Sequence, residues 1–265
     1  LNAALGVSIN DKTVNSTRYD SKTASLKYAN VFNLANIIMN GSAGLDQKID
    51  ARRQLQSLFA TAQLGYNEFV YLDLSARNDW SSTLAYTSHE KSGFFYPSVG
   101  FSLIFNKLMT LPRWVSLAKI RGAYSMVGND IPMFITNPSS HITAGGEFLA
   151  SDAAPFKDME PEMTHSFEAG IEARFLKNRI GLNATFYKTN TRNQFFKLPT
   201  LSGDKYAYRY VNAGDIQNVG WEISLDAVPL LTNHFKWKTE VNFSTNRNKI
   251  ISLHEALKEI GRAHV

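Results

Sequence analysis

The sequence predicts an all-β chain whose antiparallel strands form the wall of a transmembrane β-barrel, on three observations. Long runs alternate apolar and polar side chains, short and long connections follow one another in turn, and aromatic residues crowd the ends of the runs. A tilted membrane strand needs about 9 to 11 residues, whereas the commonest globular strand has about 5 to 6. Short turns at one end and long loops at the other are typical of outer-membrane barrels, and Tyr and Trp favour the boundary between lipid and water. A soluble β-sandwich also alternates, and it is the competing interpretation.

The clearest of these runs covers residues 69–80. Its apolar positions are Val70, Leu72, Leu74 and Ala76, and its polar positions are Tyr71, Asp73, Ser75, Arg77 and Asp79. Successive side chains of a strand point to opposite sides, so this run predicts one apolar and one charged face. Alternation alone does not say whether the apolar face meets a protein core or lipid.

The same pattern predicts about eight long strands in all. They cover residues 52–64, 69–80, 94–106, 115–127, 164–175, 180–191, 219–227 and 235–245. Short turns at 65–68, 107–114, 176–179 and 229–234 alternate with long gaps at 81–93, 128–163 and 192–216. We interpret 3–9 as a short strand end and 10–51, which is rich in Asn, Ser, Thr and Lys, as a long polar loop.

Composition excludes several classes of protein. An apolar run of about 18 residues is needed for a helical span, and the best candidate, 31–39, is short and broken by asparagines. The formal net charge is +5, but the basic residues are scattered among acids and form no block, so we expect no nucleic-acid partner. There is no cysteine. The chain begins at Leu1 without a signal peptide, which leads us to expect a fragment.

No pattern in the sequence indicates catalysis, a metal site or a cofactor. The histidines show no metal-ligand spacing, and no Gly-x-Ser-x-Gly nucleophile turn occurs. The glycine pairs at 41–44 and 145–146 lack the following Lys and Ser or Thr of a phosphate loop. We therefore expect a protein that is not an enzyme.

Several phrases of the sequence resemble one family. Tyr71-Leu-Asp-Leu-Ser-Ala-Arg-Asn-Asp-Trp-Ser-Ser-Thr-Leu84, Phe95-Tyr-Pro-Ser-Val-Gly-Phe-Ser-Leu103 and Lys119-Ile-Arg-Gly-Ala-Tyr-Ser-Met-Val-Gly-Asn129 are similar to the barrel of SusC/RagA-type TonB-dependent outer-membrane transporters. The resemblance runs from about Arg52 to Leu253. It implies that residues 1–253 are part of a barrel of about 22 strands, with the plug domain and the final strands outside the chain. We interpret 254–265 as a tail that is foreign from about Glu259, because Gly261–Val265 matches read-through into a sequencing adapter.

The resemblance also implies a function and a set of partners. The complete protein would lie in the outer membrane of a Gram-negative cell and import bulky nutrients, chiefly oligosaccharides. A SusD-like surface lipoprotein would act as its lid, and TonB would supply energy through the missing N-terminal region. Its other contacts would be outer-membrane lipid and an oligosaccharide or peptide substrate. The alternatives are a siderophore or cobalamin receptor, which the more general motifs permit, and a soluble carbohydrate-binding β-sandwich.

Two groups of residues are candidates for the site. Charged residues of the polar strand positions are predicted to face the barrel lumen, namely Asp73, Arg77, Asp79, Glu168, Glu172, Arg174, Glu222 and Asp226. Ladders of paired charges that only support the wall explain this pattern better than substrate contact does. Aromatic residues of the 192–216 loop are candidate substrate contacts, namely Phe195, Phe196, Tyr206, Tyr208 and Tyr210. They could stack on sugar rings, but an interfacial girdle explains them equally well.

Overall fold

The computed structural model describes residues 1–20, 26–38, 45–91, 93–142, 148–201 and 203–253. In these residues one antiparallel sheet contains nine strands, which confirms the predicted fold class: β1 (Asn2–Asp20), β2 (Leu45–Tyr66), β3 (Val70–Ser81), β4 (Phe94–Ile104), β5 (Val115–Asn129), β8 (Glu162–Phe175), β9 (Ile180–Arg192), β12 (Asp215–Leu231) and β13 (Lys236–Ser252). The glycine pairs at 41–44 and 145–146 and the tail at 254–265 lie outside the described residues.

The sheet is a meander in which each long strand pairs with the long strands before and after it in the chain. Two short hairpins interrupt this order: β6 (His141–Ile142) with β7 (Phe148–Leu149), and β10 (Phe195–Pro199) with β11 (Tyr208–Asn212). Within the described ranges, β1 and β13 have partners on one side only. The sheet is therefore an open segment of a wall.

All the short turns lie at one end of the sheet. The tightest joins β2 to β3, where Asn67 and Glu68 both adopt positive φ values of 46° and 59°, as hairpin turns that match the strand twist require. The next turn contains the short helix α1 (Phe105–Leu108). Lys107 Nζ donates to Glu68 Oε2 at 2.6 Å, which joins the two turns. This hydrogen bond holds the pKa of Glu68 below its usual value and raises the pKa of Lys107.

The long connections lie at the opposite end, which we call the loop end. They cover 21–44, 82–93, 130–161 and 193–214 and alternate strictly with the short turns. This order confirms the predicted rhythm of the connections, and the first long connection is shorter than the loop predicted at 10–51.

The predicted polar loop at 10–51 is wrong at both of its ends. β1 continues through Asp20 and β2 begins at Leu45, and the two strands pair in unbroken register from Asn2↔Gln63 to Asp20↔Leu45. β3 pairs with β2 only as far as Leu55↔Ser81. The β1–β2 hairpin therefore extends beyond the rim of β3, and the sheet has nine strands in the described residues instead of about eight.

The two faces of the sheet differ in chemistry. Register pairing places one row of apolar side chains across neighbouring strands, in the order Leu103, Ile120, Ile171, Ala184, Ile223 and Phe243. We call this side the apolar face. It also carries the apolar positions of β3, including Leu74 and Trp80, as the alternation at 69–80 predicted.

Large apolar side chains on the apolar face are open. Ile171, Leu225 and Phe243 are 47%, 47% and 56% exposed. A soluble sandwich would cover these side chains with a second sheet, but the other sheets in the described residues have only two strands each. The described residues therefore do not contain the second sheet that the sandwich interpretation requires.

One glycine allows two strands to approach closely. A β-carbon at Gly220 of β12 would overlap the carbonyl oxygen of Thr245 and the ring of Tyr187. Tyr187 Oη donates to that same carbonyl at 3.3 Å. Gly100 of β4 differs, because the nearest atom to its β-carbon would be 3.7 Å away. A side chain is therefore excluded at Gly220 and tolerated at Gly100.

None of the helices in the described residues is long and apolar enough to cross a membrane.

Candidate functional site

The second side of the sheet, which we call the polar face, gathers the predicted charged positions. Register pairing joins Asp73 to Gly100, Gly100 to Ala123, and Ala123 to Glu168, so both carboxylates lie in one row across four strands. The same rules of register and alternation bring all eight charged candidates to this face: Asp73, Arg77, Asp79, Glu168, Glu172, Arg174, Glu222 and Asp226. That this face lines a lumen stays a prediction.

Most of these charges have a partner on the same face. Arg77 Nε lies 2.7 Å from Asp79 Oδ1, and Arg77 Nη2 donates to Ser57 Oγ at 2.9 Å. Arg174 Nη1 lies 3.4 Å from Asp226 Oδ2. Both pairs are partly buried, and they fix the orientation of these side chains on the polar face.

The four other candidates complete the face. Glu172 Oε2 lies 3.9 Å from Lys119 Nζ, and Asp73 accepts a 2.7 Å hydrogen bond from Gln63. Glu168 and Glu222 have no hydrogen bond or ion pair within the described residues. The polar face therefore combines paired charges, which support a wall, with two carboxylates that are free to meet other groups.

A row of uncharged polar side chains crosses the polar face, on the loop-end side of Glu168 and Glu222. Sequence reasoning missed it, because each strand contributes one residue and only register pairing aligns them. Successive strands supply Thr61, Ser75, Ser98, Ser125, Ser166 and Thr189, and the row continues into Asn218 and Asn248. Ser166 and Thr189 are hydrogen-bonded at 3.2 Å. The row presents hydroxyl and amide groups, which both donate and accept hydrogen bonds.

At the loop end, the long connections pack together around a buried cluster that we call the loop core. It consists of Leu84, Phe94, Ile131, Ile135 and Met159. Leu84 and Met159 are completely buried. The cluster therefore joins two long connections and the start of β4, and Phe195 and Tyr210 of a third connection pack against it.

Asp130 anchors the loop core to the rim of the sheet. Its carboxylate accepts hydrogen bonds from Ser81 Oγ at 2.9 Å and Thr83 Oγ1 at 2.7 Å, and it forms an ion pair with Arg53. Its side chain is only 14% exposed. Because Asp130 directly follows β5 while its partners belong to β2 and to the end of β3, the contact holds two distant strands together. No sequence pattern identified this residue.

The predicted aromatic contacts lie on or beside the β10–β11 hairpin. Phe195 and Tyr210 form a ring contact at 6.4 Å and pack against the loop core, so they have a structural role. Lys197 Nζ lies 3.9 Å from the ring centre of Tyr208, and Lys205 Nζ lies 5.3 Å from that of Tyr206.

The fifth aromatic candidate, Phe196, is half-buried on the opposite face of the hairpin. The hairpin also contacts the preceding loop, because Tyr208 N donates to Asp152 O at 3.0 Å. That any of the five aromatics touches substrate stays a prediction.

The described residues contain no group of three or more His, Asp or Glu side chains that could hold a metal ion. Every buried side-chain nitrogen or oxygen in them has a hydrogen-bond partner.

Comparison with known proteins agrees with these features. Residues 2–253 match the family model for the TonB dependent receptor-like β-barrel. TonB-dependent receptor P39 of Formosa agariphila is 25% identical over 235 residues, which is 85% of this chain and 22% of that protein. TonB-dependent receptor SusC of Bacteroides thetaiotaomicron is 25% identical over 227 residues, which is 77% of this chain and 22% of SusC. The chain thus spans about a fifth of the length of these relatives.

A solved structure shares the fold. The RagAB peptide importer in its open-open state superimposes with a TM-score of 0.69 at 20% identity, covering 94% of this chain and 28% of the matched one. The family match covers nearly the whole chain, and the resemblance read from its sequence phrases is confirmed. The chain belongs to the TonB dependent receptor-like β-barrel family.

Proposed function

We propose that this chain is part of the barrel wall of a SusC-like transporter in the outer membrane of a Gram-negative cell. The observation that carries the proposal is the division of one sheet into an open apolar face and a charged polar face. Apolar side chains that are half exposed and extend across nine described strands need a cover, and the hydrocarbon of a membrane supplies it. The polar face then lines the lumen.

The short turns lie at one end of the sheet and the long connections at the other, and this difference sets the orientation of the sheet in the membrane. Outer-membrane barrels have short turns on the periplasmic side and long loops on the extracellular side. The loop core and the β10–β11 hairpin would therefore lie outside the cell, where substrate arrives. The two turns that carry Glu68 and Lys107 would lie in the periplasm.

The whole protein would import a bulky nutrient, an oligosaccharide or a peptide, without changing it chemically. SusC-like relatives and the likeness to a peptide importer support this class of substrate. A SusD-like surface lipoprotein would cover the loop end, and TonB would act through a region outside this chain. The aromatic side chains of the β10–β11 hairpin and the free carboxylates Glu168 and Glu222 would meet substrate or plug.

The proposal is tested first on the full-length parent protein, obtained by extending the reading frame. We expect it to fractionate with the outer membrane, to need detergent for extraction, and to migrate faster on gels before heating than after. A soluble periplasmic product would refute the proposal.

Growth of a deletion strain on different nutrients then distinguishes the classes of substrate. A strain that lacks the gene should lose growth on particular oligosaccharides or peptides and regain it with the intact gene. Growth that depends on the gene only under iron or cobalamin limitation would identify a siderophore or cobalamin receptor instead.

A further inference from the structure

A recess of about 800 Å³ lies on the apolar face at its short-turn end, and we call it the rim recess. It is bounded by the residues just before β5, by the β8–β9 turn and by the part of β12 nearest the short turns. Ile180 and Ala227 line it, and both stand in the last apolar row of the sheet, beside Phe175. The rim recess therefore belongs to the side of the sheet that is opposite the charged polar face.

Three basic residues line the rim recess, namely Arg113, Lys177 and Arg179. All three are exposed, and none has a carboxylate partner within the described residues. Lys107 of the neighbouring short turn differs, because its charge is paired with that of Glu68. The rim recess is therefore surrounded by three positive charges that no neighbouring acid compensates.

One of these cations, Arg179, is held in place by the backbone of β12. Its Nε donates to the carbonyl oxygen of Val228 at 3.0 Å, and its Nη2 donates to that of Pro229 at 2.6 Å. A guanidinium has five N–H donors, so donors remain after these two hydrogen bonds. The position of this charge is thus fixed before any ligand binds, which lowers the entropic cost of holding an anion there.

The rest of the rim recess is apolar and aromatic. The ring of Trp114 stacks on that of Phe175, with 5.6 Å between the ring centres. Trp favours the boundary between hydrocarbon and water, because its ring is apolar and its N–H is polar. Leu176 and Ile180 are 51% and 40% exposed. An open apolar surface therefore borders the three cations.

The cations stand where the head groups of a lipid layer would lie. Arg179 directly precedes Ile180 of the last apolar row, and Lys177 is two residues beyond Phe175 of the same row. Each is thus within about 7 Å of the edge of the apolar band, measured along the chain. A ligand that fills the rim recess needs an anionic group for the cations and an apolar chain for the surface beside them.

We propose that the rim recess binds an anionic phospholipid of the periplasmic leaflet. This inference rests on the proposed outer-membrane location and orientation. The phosphate would meet Arg113, Lys177 and Arg179, since a guanidinium offers a planar pair of donors and an ammonium group a compact charge. The first part of an acyl chain would lie against Trp114 and Ile180. A zwitterionic phospholipid fits less well, because the same three cations would repel its ammonium group.

The test uses the full-length protein in a non-ionic detergent, with bound lipids counted by native mass spectrometry. The probes are phosphatidylglycerol, phosphatidylcholine with the same acyl chains, and glycerol phosphate, which has the phosphate without the chains. The variant combines Arg113→Gln and Lys177→Gln and keeps Arg179, whose hydrogen bonds support the turn. The matched control combines Lys236→Gln and Lys238→Gln, which removes the same charge at the same end of the sheet from polar positions of β13.

We expect the wild type and the control to bind phosphatidylglycerol more tightly than phosphatidylcholine, by about ten-fold or more. The double variant should bind phosphatidylglycerol about 25-fold more weakly, since each basic residue near an anionic lipid contributes about five-fold. Its binding of phosphatidylcholine should not change. Equal binding of phosphatidylglycerol by the double variant and the control would overturn the proposal. So would displacement of the lipid by glycerol phosphate at equal concentration, because the recess would then recognise an anion without acyl chains.

Heat-modifiable migration of the same samples distinguishes a failure of this inference from a failure of the proposed function. A wild-type protein that migrates as a folded barrel but does not prefer phosphatidylglycerol refutes the lipid site alone. A wild-type protein that is not a membrane barrel refutes both. Should the double variant not fold, Arg113→Gln and Lys177→Gln are measured singly, and wild-type affinity for phosphatidylglycerol in both would overturn the lipid site.

Discussion

A lysine at the middle of the apolar face tests which solvent that face meets. Ile171 lies on β8 four residues from Phe175 at one edge of the band and four from Phe167 at the other. Each distance is about 13 Å along the strand and about 10 Å along the normal at a tilt of about 40°, so Ile171 is near the midplane. A lysine there costs about 2 to 4 kcal/mol in hydrocarbon, but about 0 to 1 kcal/mol near the edge. Lys188 is in register with Phe167, so the natural sequence already has a lysine in that edge row.

The assay is reversible unfolding of the full-length protein in lipid vesicles, followed by tryptophan fluorescence. We expect Ile171→Lys to lower the free energy of unfolding by about 3 kcal/mol, a factor of about 150 in the equilibrium constant. The matched control is Ser125→Lys, which lies on the polar face between Ser98 and Ser166. That substitution should change the free energy by less than about 1 kcal/mol, because its charge remains in water.

The free-energy cost of a lysine depends on its depth in a lipid layer, and this dependence distinguishes lipid from a protein cover. Phe167→Lys should lower the free energy of unfolding by less than Ile171→Lys does, after the contribution of the lost Phe167 ring is subtracted. Equal costs at both depths, or a cost for Ile171→Lys no larger than for Ser125→Lys, would refute the assignment of the apolar face to hydrocarbon.

Three further predictions concern other parts of the chain. Gly220→Ala should lower the free energy of unfolding by about 1 to 3 kcal/mol, because its β-carbon overlaps neighbouring atoms, whereas Gly100→Ala should be nearly neutral; both are measured by the same unfolding assay. Asp130→Ala should leave two hydroxyl groups and an arginine without their acceptor, so hydrogen exchange should become faster throughout the loop core and unchanged in the sheet. The hydrogen bond from Lys107 lowers the pKa of Glu68, so its contribution to stability is present above pH 4.5 and is lost as the pH falls through the folded-state pKa. The stability difference between wild type and Glu68→Gln should therefore disappear on acidification.

Each of these has an outcome that contradicts it. Equal effects of alanine at the two glycines would mean that the strands separate without cost. Faster exchange in Asp130→Ala at a single loop only would show that the loop core is not one unit. A difference for Glu68→Gln that grows as the pH falls would reverse the assigned sign of the pKa shift.

Alternation along the chain determined the fold class and the faces of the strands. At 69–80 the apolar and polar positions are those that the structure places on opposite faces, because a strand repeats every two residues whatever its neighbours are. The same rule identified the eight charged residues of the polar face. Sequence phrases also indicated the family, which its match across 2–253 then showed.

The extent of β1 and β2 could not be read in the same way. Residues 10–16 are polar on both sides of the strand except for Val14, since this part of the hairpin projects beyond the rim of β3. Without an apolar face there is no alternation to detect, and the composition resembles a loop. Backbone pairing with β2 makes this stretch a strand, and that pairing is a long-range contact.

The sequence by itself therefore determined local properties: which segments are strands with a covered face, which residues are charged, and where turns occur. Tertiary structure alone decided which residues of different strands stand side by side. The hydroxyl row from Thr61 to Thr189 arises from register, and the anchoring of the loop core by Asp130 arises from side-chain contacts with Ser81, Thr83 and Arg53. Register depends on contacts between residues far apart in the chain, which a local pattern cannot specify.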